Sequence, residues 1–134
     1  MDLDVSLKAD VFKALGASVV EMRLVDPYYL LRTGFFLSDT QSKHAESSFG
    51  ITANYYLGAE SLFPHGKNRY GIGVSWFDQK NGINGTRWNF AFSYEWRFDG
   101  WSVEYLHVSH GSSFGIKTDR PNDGWNMLGG RWSW

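Results

Sequence analysis

The stretch TRWNFAFSYEWRF, residues 86 to 98, alternates without a break. Trp88, Phe90, Phe92, Tyr94 and Trp96 share one parity, and Arg87, Asn89, Ala91, Ser93, Glu95 and Arg97 share the other. A helix would scatter these residues around its axis. A strand, whose side chains repeat every second residue, sorts them onto two faces. The same period recurs along the chain. Leu3, Val5, Leu7, Ala9 and Val11 oppose Asp4, Ser6, Lys8 and Asp10; Val20, Met22 and Leu24 oppose Glu21 and Arg23. Tyr29 to Leu37, Phe49 to Leu57, Tyr70 to Trp76, Trp101 to Ser109 and Asn126 to Trp134 behave alike. The pattern predicts about eight strands and almost no helix. Fifteen glycines, three prolines and an aromatic content of 18 % suit short strands joined by tight turns. The 134 residues suffice for a single domain spanning residues 1–134.

Alternation does not say which face is inside. A soluble ligand-binding barrel would line its interior with the apolar face. An outer-membrane barrel would turn that face to lipid and fill its lumen with the polar one. Three features favour the membrane. The apolar faces are strongly aromatic, as expected where rings gather at membrane interfaces. The opposite faces carry glycine, small polar residues, Glu and Arg, which can pack a narrow lumen as a buried network. The chain also ends on the aromatic Trp134, inside its last predicted strand. The expected fold is therefore all-β, an eight-stranded antiparallel up-and-down transmembrane β-barrel in a Gram-negative outer membrane. No leader opens the chain and alternation starts at Leu3, so a mature form behind an initiator methionine is expected.

With both termini on the periplasmic side, the connections after the third, fifth and seventh strands should be long and external. They read SDTQSKHAES, DQKNGING and GSSFGIKTDRPND. The second and sixth should be short turns, marked by Asp26-Pro27 and Asp99-Gly100. The fourth, AESLFPHGKN, reads as longer than this scheme expects, and the first, around Gly16, as short for an external loop. A net charge of −1 offers no basic surface for nucleic acid, and the absence of cysteine removes disulfides and thiolate metal sites. No cofactor and no metal are implied. His44 and His65 read as isolated loop histidines, and Asp119 with Asp123 is a weak Ca²⁺ signal.

The chemistry-bearing segment is VEYLHVSHGSS, residues 103 to 113. His107 and Ser109 lie on the apolar, lipid-facing parity at the top of the seventh strand. Polar groups facing lipid are costly and often functional, although near the headgroups that cost is small. Symmetric pairing around a loop of residues 110 to 123 would set Trp101 against Trp132, Val103 against Gly130, Tyr105 against Leu128 and His107 against Asn126. His107, Ser109 and Asn126 would then form one polar cluster on an apolar wall. A base beside a hydroxyl, with a third group near the base, is the general pattern of an activated nucleophile.

This eight-strand pattern, with His107-x-Ser109, then PNDGWN (121–126) and a short aromatic last strand, resembles the outer-membrane lipid A 3-O-deacylases of the PagL type. The likeness covers the whole chain in organisation and is specific over residues 105 to 134. It implies a carboxylic ester hydrolase that removes the 3-linked acyl chain of lipid A at the outer leaflet. Ser109 would be the nucleophile, His107 the base and Asn122 the asparagine of the family's Pro-Asn-x-Gly segment. His110, Gly111 and Asn122 would bind substrate or form the oxyanion site. The partners so implied are lipid A or lipopolysaccharide and the membrane lipids, with a homodimer as an allowed assembly. Two positions depart from the family pattern. His110 stands where the family has asparagine, and Asn126 stands where it has the glutamate that supports the histidine. An amide can hold a histidine tautomer but cannot supply the carboxylate charge; in serine proteases that exchange lowers turnover by about 10⁴. Asp119 and Asp123 are nearby acids that could substitute, and Lys117 and Arg120 could steer toward lipid A phosphates. Two other functions stay open: a non-catalytic outer-membrane barrel, structural, adhesin-like or a degenerate deacylase, and a soluble small-ligand barrel.

Overall fold

The alternating segments form strands whose two faces meet opposite environments. The computed structural model describes residues 2–10, 17–39, 51–78, 87–109 and 125–132. The strands are β1 (Asp2–Asp10), β2 (Ala17–Val25), β3 (Tyr29–Asp39), β4 (Ile51–His65), β5 (Asn68–Phe77), β6 (Trp88–Phe98), β7 (Trp101–Ser109) and β8 (Trp125–Trp132). Each strand pairs antiparallel with its sequence neighbours, and β1 also pairs with β8. The result is an all-β, eight-stranded up-and-down barrel with no free sheet edge. Among the described residues no helix is long and apolar enough to cross a membrane, which says nothing about a barrel.

The polar parity faces inward. Asp4, Lys8, Glu21, Arg23, Arg32, Glu60, Glu95 and Glu104 are buried, while outward-facing Leu7 and Ile72 are 54 % exposed. An isolated charge in such an interior would be prohibitive, so each must meet a counter-charge. Glu104 accepts from Arg23 Nη1 at 2.6 Å and Arg32 Nη2 at 2.7 Å, and lies 2.8 Å from Lys8 Nζ. Asp4 takes Arg23 in a two-point contact at 2.8 and 3.1 Å. Glu21 accepts from Lys8, Arg32 and the Tyr56 hydroxyl. Glu95 accepts from Arg131 at 2.9 Å and Arg69 at 3.3 Å. Glu60 accepts from Arg32, so Lys8, Arg23, Arg32, Arg69 and Arg131 pair with Asp4, Glu21, Glu60, Glu95 and Glu104.

The inner face is not polar throughout. Toward the loop end, Val19, Phe36, Tyr56, Phe77, Leu106, Val108, Trp125 and Met127 form an apolar plug. Phe36 packs edge-on against Phe77 and Trp125, each at 5.5 Å, and Tyr56 stacks on Phe77. A smaller cluster of Val25, Leu30 and Leu62 lies at the other end. Inward glycines let the strands approach closely. A Cβ on Gly129 would sit 1.9 Å from the Leu7 carbonyl oxygen, and one on Gly73 would sit 1.9 Å from that of Ala59.

The three connections opposite the plug are tight. Asp26 bridges β2 and β3 by accepting the Tyr28 N–H on its side chain at 3.1 Å. Gly66 and Gly100 supply the positive φ of the other two, at 64° and 78°. The fourth connection therefore corrects the sequence expectation: it is the Gly66-Lys67 turn, with His65 paired to Asn68. Most of AESLFPHGKN belongs to β4, which outruns β3. Pro64 does not break it, because the Leu62 N–H, two residues earlier, already bonds the last carbonyl available, Tyr28 O, at 2.7 Å. The Pro64 nitrogen points the same way, past the end of β3, where no hydrogen bond is lost.

Candidate functional site on the outer wall

Strand parity carries His107 and Ser109 to the outer face of β7 and Asn126 to that of β8, each half-buried. The β7–β8 register is the one symmetric pairing predicts: Trp101 opposite Trp132, Val103 opposite Gly130, Tyr105 opposite Leu128 and His107 opposite Asn126. On the other side, β6 sets Phe92 beside His107 and Phe90 beside Ser109. The polar groups are thus framed by rings and aliphatic side chains.

His107 Nδ1–H donates to Asn126 Oδ1 at 2.9 Å. The Tyr105 hydroxyl donates to the same oxygen at 2.6 Å. With its proton on Nδ1, the imidazole keeps its lone pair on Nε2, the form a base needs. The Asn126 backbone N–H donates to Asp10 Oδ2 at 3.2 Å, so a buried β1 carboxylate anchors the main chain behind the site. Tyr105 is steadied by an edge contact with Phe92, 6.5 Å between ring centres.

Among the described residues no hydrogen bond joins Ser109 to His107. Two residues of strand separate their Cα atoms by about 6.6 Å on one face. Catalytic hydrogen bonds are often made only when substrate is bound. His110, Gly111 and Asn122, expected at the oxyanion or substrate site, lie outside the described residues, as do His44, Lys117, Asp119, Arg120 and Asp123. Tyr105 was not among the candidates from sequence. It lies on the same parity, diagonal to Asn126, and a diagonal neighbour is within reach of a long aromatic side chain.

His65 corrects its expectation as an isolated loop histidine. It ends β4, and its Nδ1 and the Tyr94 hydroxyl are 2.5 Å apart. A further outward polar contact joins Thr33 Oγ1 and Tyr55 OH at 2.7 Å. Neither contact gathers a base, an aliphatic hydroxyl and an amide. A groove of about 790 Å³ between Leu24, Leu31, Leu57, Val74, Trp76 and Trp88 lies on the wall away from β7 and is almost wholly apolar. Among the described residues no group of three His, Asp or Glu side chains is arranged to hold a metal ion. Comparison with known proteins returns no match, whether to family models, curated proteins or solved structures.

Proposed function

We propose that this chain is an outer-membrane barrel that acts as a lipid A 3-O-deacylase-like esterase, with its site on the outer wall. The observation that carries the reading is the His107–Asn126–Tyr105 hydrogen-bonded group, with Ser109 two residues along on the same apolar face. A soluble ligand-binding barrel needs a polar exterior, and here the outer face carries Leu7, Ile72, Phe35 and Trp88 exposed while the ion pairs lie inside. Strand length also fits a bilayer: β1, β2 and β7 have nine residues and β3 and β6 eleven. Tilted strands of about 9–11 residues cross the hydrocarbon core. Ser109 is the last residue of β7, at the end bearing the longer connections, which suits a headgroup-level site.

In the proposed reaction, His107 Nε2 takes the Ser109 hydroxyl proton as Oγ attacks the carbonyl carbon of the 3-linked ester. Asn126 accepts from the Nδ1–H of the imidazolium that forms. As the tetrahedral intermediate collapses, the ester C–O bond breaks and the Nε2 proton passes to the departing sugar oxygen. Water, deprotonated by the same nitrogen, then releases the fatty acid and restores Ser109.

A second reading, a non-catalytic barrel, is favoured by Asn126 at the resembled family's glutamate position and by the missing Ser109–His107 bond. Mass spectrometry of lipid A from cells expressing the protein separates the two. Loss of one hydroxyacyl chain, abolished by Ser109→Ala and by His107→Ala, is the expected result. Unchanged lipid A alongside a barrel of normal heat-dependent gel mobility would leave the second reading.

A further inference from the structure

We infer that Tyr105 is a positioning residue that selects the working orientation of the Asn126 amide and, through it, the base form of His107; this rests on the esterase reading above. A carboxylate offers the same atom whichever way it turns. An amide does not. If the Asn126 side chain rotated by half a turn, its NH₂ would face His107 Nδ1. The ring would then need a lone pair on Nδ1, and its proton would move to Nε2. In that form His107 has nothing with which to take the Ser109 proton.

The Tyr105 hydroxyl decides between the two states. Its proton is directed at Asn126 Oδ1 at 2.6 Å, and His107 Nδ1–H reaches the same oxygen at 2.9 Å. Two donors converging on one carbonyl oxygen use both of its lone pairs. Rotation of the amide would place an NH₂, which cannot accept, where the phenol proton now donates, so the hydroxyl would lose that bond. Asp10 fixes the main chain that carries this amide by accepting the Asn126 backbone N–H. Protonation of His107 during the reaction strengthens the preference, because an imidazolium can only donate.

The test uses the refolded full chain in detergent micelles, with ¹⁵N-labelled histidine. Ring nitrogen shifts report the tautomer, and His107→Gln assigns the signal. The wild type is expected to show the Nδ1–H form, and Tyr105→Phe a mixture with the Nε2–H form. With lipid A as substrate, Tyr105→Phe should lower kcat up to about tenfold at unchanged KM, the upper size of one lost hydrogen bond between neutral groups. Tyr94→Phe, which removes another outward hydroxyl, should change neither. In an Asn126→Asp background, Tyr105→Phe should have no further effect, since a carboxylate has no wrong orientation. An unaltered His107 tautomer in Tyr105→Phe would overturn the inference, as would an equal loss of kcat in the Asn126→Asp background. A wild type inert toward lipid A sinks the esterase reading alone, because the tautomer comparison needs no turnover.

Discussion

Glu104 and Asn126 sit on opposite faces of the same strand pair, and their surroundings are solved in opposite ways. Glu104 faces inward, is 1 % exposed, and meets Lys8, Arg23 and Arg32. Asn126 faces outward and meets two neutral donors. In a sealed interior a full charge is tolerable only when counter-charges crowd it. On an apolar outer wall with no cation at hand among the described residues, a neutral amide costs less than a carboxylate would. The barrel therefore keeps its carboxylates among counter-charges inside and places an amide on the outer wall. Under the proposed esterase reading, that is a physical setting in which asparagine can stand where a carboxylate would stabilise an imidazolium better.

The sharpest way to break this contrast is to truncate both residues. Glu104→Ala takes from Lys8, Arg23 and Arg32 the carboxylate they share, leaving a buried excess of positive charge, and should cost about 3–5 kcal/mol of unfolding free energy, read by urea titration of heat-dependent gel mobility. Asn126→Ala should leave that titration within about 1 kcal/mol of wild type and act on deacylation instead. Equal destabilisation would mean that the outer cluster is structural. A smaller effect sharpens the comparison. Asn126→Asp should raise kcat about tenfold or more by stabilising the imidazolium, at a cost of about 1 kcal/mol in stability for a charge near the interface. A loss of activity in a folded Asn126→Asp barrel would argue against His107 as the base. The smallest effect is expected far from both. Pro64→Ala, where β4 runs past β3, should move stability by less than about 0.5 kcal/mol.

Much of this was legible because a period of two is a strong constraint. Once Trp88 to Trp96 define an outer face, parity places His107, Ser109 and Asn126 on that face too. Symmetric pairing then brings His107 opposite Asn126 without any knowledge of closure. What escaped depends on contacts across the lumen. Arg23 and Glu104 are 81 residues apart and meet only because the barrel is closed and narrow. The apolar plug escaped for a related reason. Phe36, Leu106, Trp125 and Met127 share the inner parity with Arg and Glu, and alternation cannot say that this parity changes character toward one end. The true extent of β4 escaped as well, because alternation cannot show that the strand runs on past the end of β3, through a proline at a position where no neighbour awaits a donor. Directly opposed pairs do not reveal Tyr105, because it faces Leu128 and reaches Asn126 only along the diagonal.

The plug and the ionic layer have an electrical consequence. The ion pairs around Glu104 and the rings around Phe36 occupy the axis along which a porin would carry solute. A voltage applied along that axis meets fixed charges already neutralised in place, and then a wall of hydrocarbon. Set in a planar bilayer, a barrel filled in this way is expected to pass no ionic current along its axis.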